Sequence, residues 1–183
     1  SLYCLTIEQN TAFYKKNLRG ELNLPDDESQ REMYDECMQR CAEEGLQQYE
    51  ISNFAKPGHE CQHNLCYWHG ETYAGYGPGA VGFIPHNDYL MRYTNLKHPE
   101  RYCAAVKNKE TIYFEHEILD DRTRRIEQIM LGLRLNEGIP VEWLPEKPLP
   151  MLKGRGWVTV SGDRLYLTEE GRHFCSEVAL EFI

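Results

Sequence analysis

The residues able to do chemistry crowd into one segment. From Tyr49 to Ile84 the sequence reads YEISNFAKPGHECQHNLCYWHGETYAGYGPGAVGFI, which sets His59, Cys61, His63, Cys66 and His69 within eleven positions, beside Tyr67, Trp68, Tyr73 and Tyr76. Imidazole and thiolate are ligands for zinc or iron. Structural zinc sites combine two separated ligand pairs, and no second pair accompanies this cluster, so the spacing argues against zinc. A loop whose polar side chains bond the backbone is the plainer reading. Haem is the stronger chemical match, because neutral imidazole is a good axial ligand and an aromatic wall suits a porphyrin face. His63, Asn64 and Tyr67 offer imidazole, amide and phenol on one short stretch. A lone histidine is nevertheless more often structural.

Other patterns carry less. Gly77-Pro78-Gly79-Ala80-Val81-Gly82 matches the spacing of a dinucleotide loop, but Phe83-Ile84-Pro85 does not open the helix which that loop requires. Close backbone approach to a ligand or strand, and a tight turn, remain equal readings of Gly77 and Gly79. Cys37-x-x-x-Cys41 resembles the first part of the Cys-x-x-x-Cys-x-x-Cys cluster motif, yet position 44 is Glu and both cysteines fall on the apolar face of a helix, as core residues do. No nucleophile elbow surrounds Ser52, and no carboxylate pair stands out.

The elements that must position these residues follow from periodicity. Leu2 to Ile7 is an apolar run expected of a strand buried on both faces. A loop is expected over 8–23. Pro25-Asp26-Asp27-Glu28 then opens a helix whose apolar face is Met33, Tyr34, Cys37, Met38 and Cys41, ended by Gly45. Tyr49 to Ser52 reads as a strand. Strand, helix, strand predicts a βαβ unit with a parallel pair. Residues 53–95 read as ordered loops and short strands, 100–107 as a short helix, and 120–135 as a helix with Ile126, Ile129, Met130 and Leu133 on one side. Trp157 to Val160 and Arg164 to Leu167 form a hairpin around a three-residue turn, and one last helix begins after Thr168. Helix, short helix, hairpin, helix is a winged-helix-like order.

Composition sets the frame. A chain of 183 residues, 41% hydrophobic and 27% charged, is a folded protein and not a disordered one. The formal charge of -9 opposes nucleic-acid binding, and residues 119–183 hold nine basic against eleven acidic side chains, so the winged-helix-like module reads as a packing or lid domain. No run is long enough to span a membrane and no signal peptide is visible. Seven cysteines without disulfide spacing fit a reducing, cytoplasmic setting. An opening without Met, in a strand-like run that needs neighbours, reads as part of a longer protein.

A resemblance covers nearly the whole chain. Tyr49-Glu50-Ile51-Ser52-Asn53-Phe54-Ala55, Pro57-Gly58-His59-Glu60-Cys61, His63-Asn64-x-x-Tyr67-Trp68, Gly77-Pro78-Gly79-Ala80, Met130-Leu131-Gly132-Leu133-Arg134-Leu135 and Arg164-Leu165-Tyr166-Leu167-Thr168 are similar to the HemW proteins. These are radical S-adenosylmethionine relatives of oxygen-independent coproporphyrinogen III oxidase. The resemblance implies an α/β, overall α+β, architecture. Residues 1–95 would be the C-terminal part of a partial (β/α) barrel, 96–118 a connecting segment and 119–183 a winged-helix-like domain of HemN type. It implies a cytoplasmic haem chaperone that binds haem or a porphyrin and delivers haem to respiratory acceptors. The alternative in a full-length form is the oxidase of porphyrin biosynthesis, and a purely structural aromatic loop is the third reading. The family's haem motif falls on His63, Asn64 and Tyr67. His63 would contact the metal, Asn64 would orient it or cap the loop, and Tyr67 would pack or hydrogen-bond at the porphyrin. Ser52, Asn53, Gly77 and Gly79 would border a cofactor or substrate cavity. The cluster cysteines are absent here, so S-adenosylmethionine and a [4Fe-4S] cluster are implied only for a longer chain, and this one alone is expected to be inactive as an oxidase.

Overall fold

Polar caps start the principal helices, and two compact units result, Ser1–Glu60 and Cys61–Ile183. The computed structural model describes all residues 1–183. In the first unit, α1 (Ala12–Leu18) is capped by Thr11, whose hydroxyl accepts from the Tyr14 amide at 3.1 Å. Helix α2 (Asp27–Glu43) is capped by Asp26, which accepts from the Ser29 amide at 2.9 Å. The hydrogen bond with the Ser29 side chain, and after it this amide bond, lowers the Asp26 carboxyl below its ordinary range. Gly45, at φ 72°, turns the chain out of α2. Strands β1 (Gln47–Glu50) and β2 (Asn53–Ala55) then pair antiparallel, with Gln47 opposite Ala55 and Gln48 opposite Phe54.

Three expectations for this unit change. The strand-helix-strand pattern does not give a parallel pair, because the chain reverses at Ile51-Ser52 and β1 takes its own continuation as partner. Leu2 to Ile7 forms no strand: its tie to the hairpin is the Leu2 amide donating to the Ser52 carbonyl at 2.8 Å. Without a flanking strand its middle stays outside, with Tyr3 72% and Leu5 63% exposed, while Leu2 and Ile7 are half-buried. The expected loop over 8–23 contains α1. On α2, Cys37 is exposed and Cys41 half-buried, so the apolar face is not a closed core.

The second unit begins with α3 (Gln62–Trp68). An antiparallel sheet follows, β3 (Val81–His86), β4 (Tyr89–Asn95) and β5 (Tyr113–Leu119) in that order, with α4 (Pro99–Asn108) between β4 and β5. Asn87, at φ 52°, makes the tight β3–β4 turn. Asp120 accepts from the Thr123 amide at 2.7 Å and starts α5 (Asp121–Gly132). After α5 come β6 (Ile139–Pro140), a 3₁₀ turn at Val141–Trp143, α6 (Leu149–Gly154), β7 (Val158–Ser161), β8 (Arg164–Leu167), α7 (Glu169–His173) and α8 (Cys175–Leu180). The sheet order is β6-β8-β7, antiparallel throughout. Ile129, Leu133, Ile139, Leu152, Val158, Leu165 and Val178 interlock in one core, each at most 4% exposed.

The mixed α and β architecture with a winged-helix-like C-terminal module is therefore present, and no barrel closes within these residues. The β7–β8 turn has two residues, not three, because Ser161 pairs directly with Arg164. The final helix is broken at Phe174 (φ -114°, ψ 27°), whose ring stacks on Trp157 at 4.4 Å. Two glycines fix this module. A Cβ on Gly171 would lie 1.8 Å from the Trp157 carbonyl oxygen, and one on Gly138 (φ +64°) 2.2 Å from that of Leu165.

Candidate functional site

The chemistry-rich segment folds into α3 and the walls around it. His63 and Tyr67 stand one helical turn apart, the spacing that lets side chains meet on a helix. The Tyr67 hydroxyl lies 3.1 Å from His63 Nε2, and the two rings meet edge-on at 4.9 Å and 87°. The aromatic contacts continue inward, Tyr67 to Tyr73 at 4.6 Å and Tyr73 to Phe83 at 6.3 Å. His63 is exposed, while Asn64 and Tyr67 are half-buried. Expecting a loop here was wrong in form, but it does bring imidazole and phenol together.

Tyr67, Tyr73 and Phe83 line an open cleft of about 310 Å³ together with Met130 and Leu131 of α5. That volume is at the small end for a ligand pocket. Arg92 of β4 and Glu127 of α5 line the same cleft. The Arg92 guanidinium bonds both carboxylate oxygens of Glu127 at 2.7 and 2.6 Å, bonds cross-strand Glu117 at 2.9 Å, and covers the Phe83 ring at 5.4 Å. Its hydrogen bonds to Glu127 raise the Arg92 pKa far above the ordinary range, so the group is permanently cationic. Burial raises the Tyr73 phenol, an effect partly offset by Arg92. Arg92 and Glu127 escaped the sequence reading. The available signal was a single arginine set among the alternating apolar residues of YLMRYTN.

The C-terminal end of α3 is anchored to the following module. The Arg134 guanidinium lies 4.3 Å over the Trp68 ring, and His69 Nε2 meets a Glu137 carboxylate oxygen at 3.2 Å. In the first unit, Ser52 and Asn53 are buried in the hairpin, where the Ser52 amide and the Asn53 side chain donate to fully buried Glu50. The Ser1 hydroxyl donates to the Asn53 side-chain oxygen. In the second unit, Gly77 and Gly79 adopt φ +98° and +69°, conformations that favour glycine. The Asn95 side-chain amide clasps this loop by donating to the Gly75 and Gly77 carbonyls at 3.1 and 3.0 Å.

Metal-ligand chemistry can be tested against these positions. The side-chain hydrogen bond with Glu71 raises the Cys66 thiol pKa and keeps it protonated, the poorer state for a ligand. No three His, Cys, Asp or Glu side chains gather as a metal set. A [4Fe-4S] cluster needs three converging thiolates, and no such set of three gathers around Cys37 and Cys41 on α2. The residues of this chain do not fit such a cluster.

Known proteins now give the fold its class. Residues 119–174 match the HemN C-terminal domain. The solved coproporphyrinogen III oxidase HemN of Escherichia coli, a radical SAM enzyme, superposes with a TM-score of 0.66 at 17% identity, over 86% of this chain and 41% of that one. The fold is thus shared. Among curated relatives, the heme chaperone HemW of Bacillus subtilis (strain 168) is 34% identical over 100% of this chain and 50% of its own length. HemW of Mycobacterium tuberculosis (strain ATCC 25618 / H37Rv) is 35% identical over 94% and 44%, and that of Escherichia coli (strain K12) 31% over 100% and 49%. The chain is similar to the HemW proteins over nearly its whole length and to HemN in its C-terminal domain, and it spans about half the length of the curated relatives it matches. No helix is long and apolar enough to cross a membrane.

Proposed function

We propose that this chain supplies the haem-contacting part of a HemW-like haem chaperone, a cytoplasmic protein that carries haem and passes it to haem-accepting respiratory proteins. The observation that carries the reading is the His63–Tyr67 pair, 3.1 Å apart at the rim of an aromatic cleft, in a chain about one-third identical to heme chaperones. The iron end of the cargo lies at that pair, with His63 the residue that the motif puts at the metal. Asn64 orients the turn, and the aromatic wall takes the macrocycle edge. Ser52 and Asn53 in the first unit, and Gly77 and Gly79 in the second, border cofactor or substrate space. Burial supports the first two, and backbone freedom at positive φ supports the glycines. S-adenosylmethionine and its cluster belong to the complete protein. The domain limits 1–95, 96–118 and 119–183 stand as part of the proposal, and the HemN match over 119–174 supports the last of them.

Haem titration followed in the Soret band tests the reading. Saturable one-to-one binding is expected for this chain and its loss for the His63→Ala, Tyr67→Phe double variant. Equal binding by the double variant would remove the pair from the site. Exposed Tyr3 and Leu5 are apolar surface of the kind that adsorbs haem unspecifically, so the difference between the two proteins is the quantity to read.

A further inference from the structure

The free edge of the β3–β4–β5 sheet has the chemistry of a docking surface. We propose that β5 takes an extended, basic segment of a partner protein as a further strand, with lysine or arginine set against Glu115 and Glu117 and apolar side chains set against Ile118. This docking is independent of the haem reading above.

The first support is the state of the edge. Strand β5 lies at the end of the sheet and pairs with β4, so the backbone groups along its other side meet no strand. An antiparallel sheet ordinarily has one covered face, yet residues 113–118 are all exposed, with Phe114 at 55% and Ile118 at 47%. Natural edge strands are blunted by shortness, proline, lysine or a bulge. Strand β5 has seven residues, with neither proline nor lysine among them. Its one irregularity, opposite Thr94 and Asn95, leaves residues 115–119 in regular register.

Register then sorts the side chains. Glu115 and Glu117 lie opposite Thr94 and Arg92 on one face, while His116 and Ile118 lie opposite Tyr93 and Met91 on the other. An added strand therefore meets two carboxylates at alternate positions on one face, and a half-apolar pair on the other. The nearby cations leave this acidic character in place. Lys97 covers the Phe114 ring at 4.5 Å, at the start of the strand, and Arg92 bonds Glu117 but is held as closely by Glu127. Opposite charges across a ladder stabilise the pairing.

The same charges exclude a second copy as the favoured occupant. Antiparallel self-pairing centred on His116 sets Glu115 against Glu117 twice, and like charges directly opposite destabilise a sheet. Backbone bonds supply the affinity and the acidic pair selects the partner, as where peptides add to other sheet edges.

The probe is a short blocked peptide alternating lysine and valine, titrated into this chain and followed by fluorescence anisotropy and amide hydrogen exchange. In the free chain, the outward amides of residues 113–119 are expected to exchange fast at every protein concentration. Saturating peptide slows alternate amides of β5 by about tenfold or more, and those bonded to β4 keep their rates. The Glu115→Gln, Glu117→Gln double variant binds about fivefold more weakly, the worth of two cross-strand charge pairs, with β4 exchange unchanged. A fully N-methylated counterpart of the peptide, which keeps the charges and donates no backbone bond, gives no protection. Equal binding by the methylated peptide or by the double variant overturns the proposal, as does absence of wild-type binding. Outward amides already protected in the free chain overturn it too, because the edge is then taken by this chain or by a second copy.

Discussion

Arg92 is the point at which the β3–β4–β5 sheet is fastened to α5, and its removal has a calculable cost. Arg92 and Glu127 side chains are 30% and 27% exposed, so their two-pronged bond lies between a surface pair and a buried one. Surface pairs contribute up to about 1 kcal/mol, and breaking a buried pair costs about 3–5 kcal/mol. About 2 kcal/mol is expected for Arg92→Met, which keeps much of the stem but strands the Glu127 carboxylate in the cleft wall. Glu127→Gln should cost about 1 kcal/mol, and the double variant less than the sum by about 1 kcal/mol, because the two changes remove the same bonds. Glu117 is 57% exposed, so Glu117→Gln should cost under about 0.5 kcal/mol. Urea unfolding followed by tryptophan fluorescence suits the measurement, since the three tryptophans, Trp68, Trp143 and Trp157, all lie in the second unit. Strictly additive single-variant costs would refute the claim that Arg92 and Glu127 act as one fastening.

Three further outcomes are expected. Gly171→Ala should destabilise the C-terminal module by about 3 kcal/mol or more, since the new methyl meets the Trp157 carbonyl, while Gly154→Ala, with open space around it, should be neutral or stabilise by about 0.5 kcal/mol; equal melting temperatures would contradict this. Leu165→Ala, at a fully buried position in the core, should cost about 2–5 kcal/mol in the same urea assay. The helix caps add an acid sensitivity. Asp26 and Asp120 have folded pKa values below their ordinary 3.8, Asp26 through the Ser29 side chain and then its amide, Asp120 through the Thr123 amide and then its side chain. Their stabilisation is therefore complete above the unfolded value and lost as the pH falls through the folded one. Far-ultraviolet circular dichroism should show less helix lost below about pH 3.8 in the Asp26→Asn, Asp120→Asn double variant, whose caps do not titrate; an identical acid transition would count against it.

Local signals in the sequence made much of this fold legible. Asp26 announced α2, the apolar side of Ile126, Ile129, Met130 and Leu133 marked α5, and the polar turn between Val160 and Arg164 marked the β7–β8 hairpin. What failed was long-range or negotiated between neighbours. Whether β1 pairs parallel or antiparallel depends on where the chain turns, and Ile51-Ser52 carries no Gly or Pro to declare it. The break at Phe174 comes from its stacking on Trp157, a contact invisible to periodicity. At the candidate site His63 and Tyr67 were found by type and spacing, although the segment was expected as a loop, since Cys61 makes no side-chain cap to mark the start of α3. Arg92 and Glu127 are 35 positions apart and meet only after the sheet forms, so no local pattern joins them.

Helix α3 has seven residues, about half the length at which an isolated helix holds in water. Its order is borrowed, and the lender sits at one end, where Arg134 covers Trp68 and Glu137 meets His69. The opposite end, which carries His63, has no side-chain cap. Fraying is consequently directional. The Leu65 amide, bonded to the Cys61 carbonyl at 3.0 Å, should exchange with solvent deuterium sooner than the His69 amide, bonded to the Leu65 carbonyl at 2.8 Å. A molecule gripped at the free end is thus held by the part of the helix that opens first, and its residence time is governed by the mooring at Trp68 as much as by its own contacts.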